Sequence, residues 1–158
     1  VKGDSAEDYA VKAAIESMRR LNRKARNLGR QFRVHAATDV TGFALAGHSF
    51  EVASASGVTI EYDAASLPVL PDALELAEFG FLPEGMYSNL DYVSSHIAFS
   101  GSVKQNLRDL VCTPETSGGL LLFMPESDAA EFARSFGEEC CAVIGHVCSK
   151  RDADVVFC

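Results

Sequence analysis

The sequence contains no long apolar segment and few basic residues. No apolar run approaches the roughly 20 residues that a membrane-spanning helix needs. The first eight residues are mostly polar and show no signal-peptide pattern. Basic residues number 14 against 22 acidic ones, which gives a net charge of -8 at pH 7. Because nucleic acids and anionic membranes repel such a chain, we expect neither as a partner.

The cysteines lack the spacing of a metal site or a disulfide framework. They number five, an odd count, and four of them lie in the last nineteen residues. Cys140 and Cys141 are adjacent and Cys148 follows seven positions later, which matches neither a CxxC pair nor a zinc ligand set. A small secreted scaffold usually has an even, dispersed set. We therefore expect reduced thiols packed in the core of a cytoplasmic protein, and structural roles for His35 and His48.

Length and composition predict one domain. The chain has 158 residues, 47% of them hydrophobic, which is enough to bury a core. Predicted strands and helices are mixed without strict alternation. This pattern favours an α+β fold with helices packed on one face of a mostly antiparallel or mixed sheet. The sequence lacks an initiator Met, so we expect residues 1–158 to be one domain of a longer protein.

Residues 1–29 are predicted to form the N-terminal helix of this domain. The helix runs from about Ser5 to Leu28 and ends at Gly29, because apolar residues recur at steps of four and three: Ala14, Met18, Leu21, Ala25 and Leu28. Half of the basic residues lie between Arg19 and Arg33. They form either a solvated helix end favoured by the helix dipole or a phosphate-binding surface.

The rest of the chain is predicted to alternate irregularly between short strands and helices. Residues 81–95 are expected to be an extended loop, and Ser127 is expected to cap a helix. Strands are predicted at residues 34–38, 58–63, 120–124, 141–147 and 155–158. Helices are predicted at residues 43–55, 71–80, 102–110 and 127–136, with Gly57, Gly80 and Gly137 as stops.

The first candidate site lies between a predicted strand and helix, at residues 38–43. The carboxylate of Asp39 is a hard oxygen ligand that suits Mg²⁺. The hydroxyls of Thr38 and Thr41, with the free amides of the helix start at Gly42, suit phosphate oxygens. The alternative is that Asp39 or Thr41 simply caps the helix.

The second candidate site is the loop of residues 113–119, which precedes a buried strand. Its paired glycines, Gly118 and Gly119, allow a backbone to approach a ligand closely. The loop is not a P-loop, because no Lys follows the glycines and the next element is a strand. The alternative is a tight turn that leads into a core strand.

These segments resemble the selenophosphate synthetase family. His35–His48, HAATDVTGFALAGH, resembles the family motif ACTDVTGFGLLGH, and Cys112–Leu121, CTPETSGGLL, resembles DPQTSGGLL. Ser17–Arg23 is similar to the stretch SMxxLNR, and Ala142–Gly145 matches the closing strand AxVIG. The similarity runs in order from about Glu7 to Val147, so it covers nearly the whole chain.

The resemblance implies the C-terminal half of a two-domain enzyme of the aminoimidazole-ribonucleotide-synthetase-like superfamily. Such an enzyme makes selenophosphate, AMP and phosphate from ATP, selenide and water. It binds ATP and Mg²⁺ between its two domains and is expected to be a homodimer. Asp39 occupies the position of the one metal-binding aspartate of this domain, beside the nucleotide-site residues Thr38, Thr41, Gly42, Gly118 and Gly119. The nucleophile lies in the N-terminal domain, so we expect this chain alone to be inactive.

The chain also departs from the family pattern. Ala37, Ala44 and Ala46 replace Cys, Gly and Leu, while Glu84 and Met86 interrupt a loop that usually has the pattern PGGTxxNL and keeps Asn89. One alternative is a sister enzyme of the superfamily, such as a hydrogenase-maturation dehydratase or a thiamine-phosphate kinase. Another is a non-catalytic binding domain that kept the fold.

Overall fold

A computed structural model describes residues 6–137 and 141–158 of the chain. Within these ranges it has seven α-helices: α1 Asp8–Arg19, α2 Arg23–Gly29, α3 Ala44–Ser56, α4 Ala73–Glu78, α5 Glu84–Val93, α6 Gln105–Val111 and α7 Glu126–Phe136. The same ranges contain six strands: β1 Ala36–Asp39, β2 Val58–Tyr62, β3 Ile97–Phe99, β4 Leu120–Phe123, β5 Gly145–Ser149 and β6 Val155–Phe157. None of the described helices is both long and apolar enough to span a membrane.

The strands form two separate sheets. Four of them lie in the order β3-β6-β2-β5, with β6 parallel to both β2 and β3 and with β5 antiparallel to β2. The remaining two, β1 and β4, form an antiparallel pair. The larger sheet is mixed and α3 packs against it, which confirms the predicted α+β class.

The main core lies on the four-stranded sheet. Its largest fully buried side chains are those of Tyr62, Phe157 and Ile60. The Phe157 ring is stacked between those of Tyr62 and Phe99, with centroids 5.2 Å away on each side. Tyr62 also shares a buried 2.7 Å hydrogen bond with the hydroxyl of Ser49 on α3, so its polar end is satisfied. This packing anchors α3 and therefore the loop that precedes it.

The predicted single helix over residues 1–29 is divided in two. Arg20 adopts an extended backbone, with φ -73° and ψ 122°, between α1 and α2. Leu21, a member of the predicted apolar stripe, is 69% exposed. The predicted apolar stripe is therefore not buried along its whole length, and packing does not hold residues 1–29 in one continuous helix. The predicted start at Ser5 lies outside the described residues, whereas the predicted end at Gly29 is the last residue of α2.

Two further predictions were wrong in detail. The expected loop over residues 81–95 contains helix α5, which buries Met86, Asn89 and Val93 at steps of three and four. Because these buried residues recur at helical spacing, tertiary packing favours a helix here. Strand β3 was not predicted, and Ser127 lies inside α7, where Pro125 occupies the cap position. The end of α3 at the left-handed Gly57, with φ 65°, was predicted correctly.

Candidate functional site

Pairing of β1 with β4 brings the two predicted loops together. In the register of this pair, Asp39 lies opposite the first residue of β4. The pairing continues into the loops, because the amide of Val40 donates to the carbonyl of Gly119 over 3.0 Å. The amide of Glu115 donates to the carbonyl of Thr41 over 2.9 Å. The two motifs, which lie about seventy residues apart in the sequence, therefore form one continuous surface.

Asp39 has a free carboxylate at the end of β1. It is exposed, and its side chain forms no hydrogen bond or ion pair within residues 6–137 and 141–158. Thr38 lies beside it, and the Thr38 hydroxyl donates to the carbonyl of Asp39 over 3.3 Å. The described part of the chain has no group of three or more His, Cys, Asp or Glu side chains that could hold a metal ion. Asp39 is therefore suited to supply one ligand, as when Mg²⁺ is shared among one or two carboxylates, phosphate oxygens and water.

The start of α3 shows that neither candidate residue is a helix cap. Phe43 occupies the cap position, and its side chain accepts no hydrogen bond from the helix amides. The carbonyl of Thr41 accepts from the amide of Ala44 over 3.0 Å. The Thr41 hydroxyl, however, is hydrogen-bonded to His48 and not to a helix amide. The alternative that Asp39 or Thr41 serves only as a cap is therefore wrong.

Gly118 lies in close contact with the backbone that follows Asp39. A Cβ atom at Gly118 would lie 2.3 Å from the carbonyl oxygen of Val40, a distance that real side chains do not tolerate. A Cβ atom at Gly119 or Gly42 would meet nothing within 4 Å. The glycine pair was predicted to let the backbone approach a ligand, whereas the close approach seen at Gly118 is to another segment of this chain.

Two asparagines hold the loops in place, and neither was predicted as a site residue. The amide of Asn89, which is buried on α5, donates to the carbonyl of Gly42 over 2.9 Å and to the carbonyl of Cys112 over 3.0 Å. Asn22, between α1 and α2, donates to the carbonyl of Gly118 over 3.2 Å. Both asparagines belong to stretches that resemble family motifs, and this was the signal that could have found them.

His48 connects the Thr41 hydroxyl to a carboxylate. Its Nε2 atom lies 3.0 Å from Thr41 Oγ1, and its Nδ1 atom lies 3.3 Å from Glu51 Oε2. The edge-to-face ring of Phe43 covers it, with 5.7 Å between the ring centroids. The side chain of His48 is only 12% exposed, so these contacts define its orientation.

Burial changes the acidity of two groups beside these loops. It raises the pKa of the Cys112 thiol to about 11, with a smaller contribution from Asp109, so this thiol is protonated and weakly nucleophilic at neutral pH. The side chain of Glu115 reaches solvent, but the surrounding protein atoms remove part of its hydration and raise its pKa. Cys141 and Cys148 are half-buried and Cys158 is exposed, whereas Cys140 lies outside the described residues. The prediction of core cysteines therefore holds fully only for Cys112.

The basic cluster between Arg19 and Arg33 pairs partly within the chain. Arg33 Nη2 lies 2.6 Å from Asp128 Oδ1, and this pair holds the pKa of Asp128 well below its usual range. Lys24 donates to the carbonyl of Phe136 over 2.9 Å. These residues tie α2 and the segment that follows it to α7. This pairing supports a structural role for that part of the cluster.

The sequence matches the family described as "AIR synthase related protein, C-terminal domain" over residues 2–157. Among curated proteins it is 40% identical to the selenide, water dikinase of Clostridium botulinum strain Eklund 17B, over 99% of this chain and 46% of that protein. It is 35% identical to the selenide, water dikinase of Caldanaerobacter subterraneus subsp. tengcongensis, over 98% of this chain and 46% of that protein.

The chain thus spans about half the length of these relatives. The family match runs over nearly the whole chain and includes both loops of the candidate site. The chain therefore belongs to the family of AIR synthase related proteins, and it corresponds to the C-terminal domain of that family.

Proposed function

We propose that this chain is the C-terminal domain of a selenide, water dikinase. Such an enzyme, a selenophosphate synthetase, makes selenophosphate, AMP and phosphate from ATP, selenide and water. The names of the similar proteins and the resemblance of the motif over His35–His48 support this substrate class. The structural observation that carries the proposal is the exposed carboxylate of Asp39, which has no partner among the described residues and lies where two loops are joined by backbone hydrogen bonds.

In this proposal, Asp39 is a ligand of the Mg²⁺ that accompanies the ATP phosphates. The ion, when bound, offsets charge on the phosphate oxygens. Thr41 and Gly42 shape the loop next to Asp39, and Thr38 orders the strand end through its own backbone contact. Gly118 and Gly119 hold that loop from the β4 side. A carboxylate presented on a fixed backbone loses little conformational freedom when it binds a cation.

The remaining machinery is proposed to lie in the N-terminal domain of the longer enzyme. One carboxylate does not hold Mg²⁺ alone, and the described residues offer no cluster to complete the site. The buried, protonated Cys112 is not suited to act as a nucleophile. We therefore expect the isolated chain to be inactive. From the family resemblance, we also propose that the full-length enzyme is a cytoplasmic homodimer that binds its substrates between its two domains.

The test is selenide-dependent formation of AMP from ATP by the full-length protein, followed by phosphorus NMR. Asp39→Asn removes the charge but keeps the shape, and we expect it to lower the rate by at least about 100-fold, because loss of a metal ligand should cost at least as much as loss of the groups that support one. Asp91→Asn removes the same charge from an exposed position on α5 and should leave the rate unchanged. Circular dichroism of both variants checks that they are folded.

Three outcomes would contradict the proposal. ATP consumption that does not depend on selenide would favour a sister enzyme of the same family. No consumption by a folded full-length protein would favour a non-catalytic binding domain. Turnover of ATP by residues 1–158 alone would show that the essential groups lie in this chain.

A further inference from the structure

A chain of hydrogen bonds leads from the surface of α3 to the loop that carries Asp39. Glu51 Oε2 lies 3.3 Å from His48 Nδ1, and His48 Nε2 lies 3.0 Å from Thr41 Oγ1. His48 and Glu51 are three residues apart on α3 and so share one face of the helix. Thr41 is two residues beyond Asp39, so this chain of hydrogen bonds ends in the loop that follows the proposed metal ligand.

The chemistry of the three groups sets the direction of each hydrogen bond. An ionised carboxylate only accepts hydrogen bonds. The Nδ1 atom of His48 must therefore be protonated, so that it can donate a hydrogen bond to Glu51. In a neutral imidazole, Nε2 is then an acceptor. With the ring in this neutral tautomer, the Thr41 hydroxyl donates to His48, and its oxygen keeps its lone pairs for another partner.

The surroundings hold this arrangement in place. The His48 ring is almost buried and is covered by the ring of Phe43. The Thr41 carbonyl accepts from the amides of Ala44 and Glu115, which fixes the backbone beneath the hydroxyl. Among the residues that the structure describes, no side chain caps α3, so the helix does not use the Thr41 hydroxyl. Its hydrogen bond to His48 thus serves neither a helix cap nor the backbone.

We propose that His48 is a positioning residue that keeps the Thr41 hydroxyl oxygen as an acceptor for the hydrated Mg²⁺ beside Asp39. Water molecules bound to Mg²⁺ donate hydrogen bonds, whereas phosphate oxygens only accept them. A hydroxyl already committed as a donor to His48 therefore suits the hydrated cation and not the phosphate. The inference rests on the proposed function, because it assigns a role to Thr41 at the same metal site.

The first test reads the protonation of the ring directly, without any assay of activity. Long-range proton–nitrogen NMR is recorded on the full-length protein at mildly alkaline pH, and His48 is assigned by the signals that disappear in His48→Gln. We expect the tautomer with its proton on Nδ1, and we expect Glu51→Ala to reduce its population. The opposite tautomer would overturn the inference, because Nε2 would then donate to Thr41 and free the hydroxyl proton for a phosphate.

The second test measures how activity of the full-length enzyme depends on Mg²⁺ concentration. We expect His48→Leu to raise the Mg²⁺ concentration for half-maximal rate about tenfold, as loss of a residue behind a metal contact does. The KM for selenide should not change. His48→Gln keeps an acceptor within reach of Thr41 and should restore most of the affinity. His146→Leu, at an exposed position on β5, is the matched control and should behave as wild type.

The double variant Thr41→Val with His48→Leu separates positioning from general damage to the fold. If His48 acts through Thr41, the double variant should be no worse than Thr41→Val alone. Additive losses would overturn the inference. A normal Mg²⁺ dependence in His48→Leu, beside a loss of activity in Asp39→Asn, would overturn it and leave the proposed function intact. An active Asp39→Asn enzyme would instead reject the metal role of Asp39.

Discussion

The four-stranded sheet and the β1–β4 pair are held together in different ways. In the sheet, three stacked aromatic rings and buried aliphatic side chains fill the space beneath α3. In the strand pair, the decisive contacts are between backbones, such as that of Gly118 with Val40, and from asparagine amides to carbonyls. The sheet is expected to carry most of the stability, whereas the strand pair positions a carboxylate. Substitutions in the two regions should therefore separate loss of folding from loss of function.

The largest expected effect is on the sheet. Phe157→Ala should reduce the free energy of unfolding by about 4 kcal/mol, because it leaves a cavity between the rings of Tyr62 and Phe99. Denaturant unfolding followed by circular dichroism measures it. Phe79→Ala is the control, since that ring is 69% exposed and should change stability by less than about 0.5 kcal/mol. Equal costs at the two positions would show that the stacked rings are not the centre of the core.

A smaller loss of stability with a larger loss of function is expected in the strand pair. Gly118→Ala places a methyl group 2.3 Å from the carbonyl oxygen of Val40 and must push the Asp39 loop away. We expect it to cost about 2 kcal/mol and to weaken Mg²⁺-dependent activity of the full-length enzyme. Gly119→Ala, where the added methyl group meets nothing within 4 Å, should preserve stability. If Gly119→Ala costs as much stability as Gly118→Ala, the close backbone contact is not the cause.

A gain in stability is expected where the chain departs from the family pattern. Ala44, at the first position of α3, has a left-handed backbone with φ 62°, which is strained for any residue with a Cβ atom. Ala44→Gly relieves this strain but loses a buried methyl group, so we expect a net gain of about 0.5 kcal/mol.

The matched control for Ala44→Gly is Ala46→Gly in the same helix. Ala46 is equally buried and is not among the residues with positive φ, so this change should cost about 1.5 kcal/mol. Thermal unfolding of both variants gives the comparison. The same sign for the two changes would argue against strain at Ala44.

Local signals explain which parts of the fold were predictable. The strand–turn–helix unit around Asp39 has a short strand, a helix rich in small residues and a left-handed Gly57 as its stop, so its order followed from the sequence. The break at Arg20 could not be predicted from the sequence, because it depends on how α1 and α2 pack on either side of that residue. Helix α5 was missed because the burial of Met86 and Val93, which favours a helix there, depends on tertiary packing.

The candidate site was predictable only in part, for a related reason. Asp39, Gly118 and Gly119 have chemistry that is visible in short motifs. The side-chain amide of Asn89, by contrast, donates to carbonyls that lie 47 and 23 residues away in the sequence. No local sequence pattern predicts contacts over such separations. The same is true of His48, whose role depends on its position between Thr41 and Glu51.

The smallest expected effect is an opposite response of the two regions to acid. Asp154, next to β6, is buried, which by itself would raise its pKa, but hydrogen bonds from Lys150 and His96 outweigh burial and lower it. Its contribution to stability is therefore present above the pKa of the unfolded chain and is lost as the pH falls through the lower pKa of the folded chain. Glu115, beside the strand pair, has a raised pKa, so the folded state takes up its proton first and gains stability as the pH falls through that pKa.

Single substitutions should separate these two contributions. Unfolding free energies measured from neutral to acidic pH should fall less steeply in Asp154→Asn than in wild type, because the unfolded chain no longer binds the extra proton there. They should fall more steeply in Glu115→Gln, because a group that offset the loss is gone. Changes of the same sign in both variants would show that burial does not dominate at Glu115. The acid response would then no longer distinguish the site loops from the sheet.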